Sequence, residues 1–119
     1  AERNVYLGDY LQGARPYPKS FMKRLPGSDR IGEGRIHKFD PAWRPVESYV
    51  VEHAPEFNGF KAVTHTALHP SGEFITYTTE TGKRVMRYDL RRKSQMPDLV
   101  CYSGELKDGL WAIAVAYLP

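Results

Sequence analysis

Residues 62–90, AVTHTALHPSGEFITYTTETGKRVMRYDL, constrain the fold more than any other part of the chain. They read as three short strands joined by tight turns. Residues 64–68 run into His69-Pro70-Ser71-Gly72, where Pro70 presets φ and Gly72 admits a positive φ. Residues 73–80 are rich in β-branched and aromatic side chains, Thr81-Gly82-Lys83 turns the chain again, and residues 84–90 form the third strand. A fourth strand is expected at 99–103, after a polar loop. Four antiparallel strands in about 45 residues, followed by another at 110–117, describe one turn of a repeating all-β unit.

The rest of the chain copies parts of that unit. VYLGDYL at 5–11 aligns with 74–80, and GRIHKFD at 34–40 matches KRVMRYD at 83–89. A turn containing Pro41, Trp43 and Pro45 leads to a further strand at 46–52. With the strands of a unit lettered A to D, the chain reads BCD-ABCD-A, or two units' worth. Residues 13–34 interrupt the pattern with three prolines and four glycines, and loops of this length in compact domains tend to be either functional or mobile. Helical periodicity is poor throughout, since no window keeps a 3.6-residue apolar spacing past two turns.

Composition narrows the class. At 119 residues the chain makes one domain at most, and 41% apolar with 26% charged residues is ordinary for a globular protein. The longest apolar run, 110–118, falls far short of the roughly 20 residues that span a membrane. No signal peptide is visible, and Ala1 is compatible with removal of an initiator Met or a longer leader. The net charge of +3 is small, and no element combines basic and stacking residues on one stripe, so nucleic acid is not an expected partner. The single cysteine, Cys101, excludes an internal disulfide and leaves the compartment open, with a lean toward a reducing, cytoplasmic one. Its setting, Leu-Val-Cys-Tyr, reads as a buried strand position and not as a nucleophile.

HPSGEFITYTTETGKRVMRYDL carries a Pro-x-Gly turn, an apolar strand, a glycine turn, an Arg-Val pair and an aromatic-Asp pair. It resembles a blade of the six-bladed β-propellers that include the senescence marker protein/gluconolactonase group, the strictosidine-synthase-like proteins and NHL repeats. The resemblance implies β-propeller blades: an incomplete blade at 1–52 with the 13–34 insertion, a complete blade at 60–103, and the first strand of a third at 110–119. Two blades leave two broad apolar faces open. The expected partner is therefore the remainder of the propeller, from a second chain or from further copies, three of which would make six blades.

Blade topology also places a site. The D-to-A and B-to-C loops share one face of such a ring, which receives residues 13–34, 53–59 and 104–109. Ligand-binding candidates there are Arg15, Tyr17, His53, Asn58, Lys61, Thr64 and Trp111. His65 is the candidate general base or metal ligand, with Asp108 or Asp9 as its carboxylate partner and a divalent ion such as calcium or zinc as a candidate cofactor. The plainer reading of His65 is a hydrogen-bonded channel or core residue. His37 reads as a packing or surface residue of its strand, and His69 as a turn residue. Metal-binding members of the lactonase group carry Asn-Gly where this chain has Thr64-His65 and Ile113-Ala114, so that ligand is missing from both blades. Asp9 fits the family's common aspartate, which often only caps a turn. The function expected is a propeller enzyme acting on a small molecule, a lactone or ester hydrolase or a lyase. The alternative is a non-catalytic module binding a glycan or a protein.

Overall fold

The computed structural model describes residues 3–11, 33–53, 61–79, 84–101 and 116–117. Among them every regular element is a β-strand: β1 (Val5–Gly8), β2 (Tyr10–Leu11), β3 (Arg35–Phe39), β4 (Pro45–Val50), β5 (Lys61–Ala62), β6 (His65–Leu68), β7 (Phe74–Thr78), β8 (Arg84–Asp89) and β9 (Ser94–Cys101). The protein is all-β. Strands β6-β7-β8-β9 form one antiparallel sheet in chain order, β1-β3-β4 form a second, and β2 pairs with β5. No helix among the described residues is long and apolar enough to cross a membrane.

The two sheets pack face to face because both alternate. On β7 and β8, Ile75, Tyr77, Met86 and Tyr88 point to one side, and on β3 and β4 Ile36 and Tyr49 do the same. These side chains, with Val51, Val63 and Leu90, make one buried cluster between the sheets, against which Tyr6 packs. Tyr49 and Tyr88 meet across it with ring centroids 5.6 Å apart. Full burial of such side chains stabilises by about 1.5–3 kcal/mol each.

The turns follow from local chemistry. Gly72 takes a φ of 74° and donates to the His69 carbonyl at 2.8 Å, which lets β6 reverse into β7. Between β8 and β9, Asp89 Oδ1 accepts the main-chain amides of Arg91 and Arg92 at 2.9 and 2.8 Å, and Lys93 closes the turn with a φ of 53°. The fourth strand consequently starts at Ser94, not at residue 99 as expected from the sequence. Pro97 is accommodated because β9 is the outer strand of its sheet and the register slips between Val85 and Arg87. Cys101, expected to be buried, is exposed at the end of this outer strand.

The expected strand at 5–11 is broken at Asp9. Its first half, β1, pairs with β3 from Val5↔Phe39 to Gly8↔Ile36, and its second half, β2, pairs with β5 instead. Asp9 itself sits at the junction, donating its amide to the Arg35 carbonyl at 3.0 Å and accepting the Val63 amide at 2.9 Å. One residue later, the Thr64 amide turns to the Thr78 carbonyl at 3.0 Å. The segment from β5 to β6 therefore bonds first to one sheet and then to the other. A strand that switches sheets in this way makes a corner, so the layers are joined by main-chain bonds as well as by side-chain packing.

Candidate functional site

The corner organises a buried polar chain of three side chains. Asp9 and His37 are 8% and 4% exposed, so both must find partners inside the protein. Asp9 Oδ1 accepts the amides of Gly34 at 2.5 Å and Arg35 at 2.9 Å, and Oδ2 bonds to His37 Nε2. His37 Nδ1 lies 2.8 Å from Ser48 Oγ, directly across the β3–β4 ladder. An ionised carboxylate only accepts, so His37 Nε2 is the donor. In the neutral ring Nδ1 then accepts from the Ser48 hydroxyl.

Serine, histidine and aspartate in hydrogen-bonded succession have the order of a hydrolytic triad. Here the histidine is closed off from solvent and the aspartate also anchors two main-chain amides. That geometry suits a clasp, which holds the end of β1 against the start of β3 on either side of residues 12–32. The sequence suggests Asp9 as a carboxylate for His65 and His37 as a packing or surface residue; in the fold Asp9 bonds to His37 instead. The register explains the meeting, because pairing Gly8 with Ile36 brings residue 9 to the opening of β3.

His65 begins β6, opposite Thr78, and is exposed, and its imidazole has no hydrogen-bond partner among the described residues. Thr64 beside it donates its hydroxyl to the Thr78 carbonyl at 3.2 Å. His69 is fixed in its turn, with Nδ1 2.9 Å from Ser71 Oγ and its ring stacked on Phe74. His53 follows β4 and Lys61 opens β5, each bordering residues 54–60. The candidates Arg15, Tyr17, Asn58, Asp108 and Trp111 lie outside the described residues. No group of three or more His, Cys, Asp or Glu suited to a metal ion occurs among the described residues.

The remaining electrostatics serve the interior. Burial pushes the Tyr49 and Tyr77 phenols well above the usual tyrosine range. Tyr77 donates to the Glu52 carbonyl at 2.5 Å and accepts from Gln95 Nε2 at 2.9 Å, joining the end of β4's strand path to β9 across the core. At the rim, Lys93 and Glu47 form a 2.6 Å ion pair between the β8–β9 turn and β4. The hydrogen bond and charge of Lys93 hold the Glu47 carboxyl below its ordinary value, and Lys93 is raised reciprocally.

Comparison of the chain with protein-family models, with curated proteins and with solved structures found no match to any of the three.

Proposed function

We propose that this chain supplies blades to a propeller enzyme acting on a small molecule, a lactone or ester hydrolase or a lyase, with His65 as its base. The observation that carries the reading is the state of His65. His37 is consumed by Asp9 and Ser48, and His69 by its turn, whereas His65 is exposed and uncommitted at the start of the first strand of the four-stranded sheet. A general base needs that availability to reach a substrate proton. The strand order β6-β7-β8-β9 is the A-to-D order of a blade, which supports the architecture. On the other sheet, Leu7 (45%) and Val50 (69%) are exposed on the face shared by His37 and Ser48, as a sheet awaiting a neighbouring blade would be. The neighbour is the remainder of the propeller, from a second chain or from further copies.

A non-catalytic module for a glycan or protein partner is the second reading. It is favoured by the commitment of Asp9 to its clasp, which leaves His65 without that carboxylate. The test is turnover of a panel of lactones and aryl esters by the assembled protein and by His65→Ala. The enzyme reading expects at least one substrate to be cleaved and its kcat/KM to fall about 100-fold or more in the variant. Unchanged turnover in His65→Ala removes His65 from the chemistry, and inertness toward the whole panel together with saturable glycan or protein binding establishes the second reading.

A further inference from the structure

The face of β6-β7-β8-β9 turned away from Ile75 and Tyr77 has another group of side chains, at the opposite end of β7 from Thr78 and its partner His65. Alternation puts Phe74, Thr76 and Thr78 on that face, pairing sets Asp89 beside Phe74, and Arg87 with Met96 forms the next row. Where the β8–β9 turn closes this end, a half-open pocket of about 570 Å3 is lined by Glu73, Phe74, Asp89, Arg91, Arg92 and Met96. That size suits a small molecule.

The pocket is braced. The Phe74 ring is stacked on one side by His69, with centroids 4.3 Å apart, and Tyr117 meets it edge-on at 6.3 Å. The Arg87 guanidinium carbon lies 5.9 Å from the Phe74 centroid. Of the two acids, Asp89 caps the turn through Oδ1, and Glu73 pairs with Arg91 at 2.7 Å. Arg92 lines the same pocket, and its guanidinium has no partner among the described residues. An apolar wall of Phe74 and Met96 thus stands beside a guanidinium that makes no ion pair among the described residues and whose fork matches a carboxylate.

We infer that this pocket binds a small aromatic carboxylate, with its ring against Phe74 and Met96 and its carboxylate on Arg92. The site is separate from His65 and does not rest on the enzyme reading. The test is a titration of the full chain, followed by amide NMR shifts, with 2-naphthoate and its neutral counterpart 2-naphthalenemethanol. The expected result is saturable naphthoate binding with shifts at Phe74, Asp89, Arg91 and Arg92, and about tenfold weaker binding of the alcohol. Arg92→Ala is expected to weaken naphthoate by a similar factor, while Arg44→Ala, at an exposed arginine in the turn between β3 and β4, leaves it unchanged. Equal affinity for the two probes, naphthoate binding undiminished in Arg92→Ala, shifts confined to another region, or no saturation at millimolar probe would each overturn the assignment.

Discussion

The Asp9 carboxylate, at the break between β1 and β2, bonds to Nε2 of His37 in the middle of β3 while holding the amides of Gly34 and Arg35. Truncating Asp9 strands two amides and an imidazole N–H in a largely buried setting. Asp9→Ala is therefore expected to lower unfolding free energy by about 3 kcal/mol, as read by urea denaturation. Asp9→Asn keeps an oxygen for the amides and turns its NH2 to His37, which then accepts at Nε2 and donates from Nδ1 to Ser48. That variant should lose only about 1 kcal/mol, and nitrogen NMR of His37 should show the opposite tautomer from the parent. An unchanged tautomer would contradict the assigned donor.

Tyr77 links three segments through one hydroxyl, bonded to the Glu52 carbonyl and to the Gln95 amide. Tyr77→Phe should cost about 1–2 kcal/mol, because the ring still fills the core but two partners lose their bond. The same burial has a consequence at high pH. The unfolded phenol ionises near 10.0 and the folded one well above it, so the stabilisation is complete below pH 10 and declines as pH rises beyond that value. Tyrosinate absorbance should accordingly appear in two stages, the second coinciding with loss of the native circular dichroism. A single stage with the fold intact would show that Tyr77 is open to solvent.

How far these features are legible in the sequence depends on the range over which they act. The strands β7 and β8 and the turn at Gly72 are set by neighbouring residues, and they lie within the expected spans. So does the pairing order of the four-stranded sheet. The start of β9 is not legible, because Ser94-Gln95-Met96-Pro97 is polar and contains a proline; only its position at a sheet edge makes it a strand. The Asp9–His37 bond spans 28 positions and crosses the 13–34 interruption, so no local pattern announces it. His65 stood out for its expected place near a channel, and the structure adds that it is exposed and uncommitted.

Acid should weaken the contact between the sheets through Glu47. Its folded carboxyl titrates below the ordinary value of 4.5 because Lys93 bonds to it across the sheet gap. A lowered folded value means that the contribution is complete above pH 4.5 and disappears as pH falls through the folded value. In Glu47→Gln the stability profile should be flatter between about pH 5 and pH 3. Added salt should reduce the difference between parent and variant at neutral pH, since both partners are partly exposed. Parallel acid profiles for the two proteins would show that the pair contributes nothing to folding.

Gly8 is required by the closeness of two strands, not by a turn. A Cβ built there would lie 2.5 Å from both the Cγ1 and the carbonyl oxygen of Val63, inside any allowed contact. Gly8→Ala must push the β5 to β6 segment away from β1, which strains the Val63 to Asp9 main-chain bond at the corner. The expected loss is about 1–3 kcal/mol in denaturant unfolding. Adding Val63→Ala removes the methyl clash but leaves the carbonyl in place, so the double variant should be no more stable than Gly8→Ala alone. Full recovery in the double variant would mean that the backbone at the corner yields easily, and that the strand switch from β5 to β6 is not held by the close approach at Gly8.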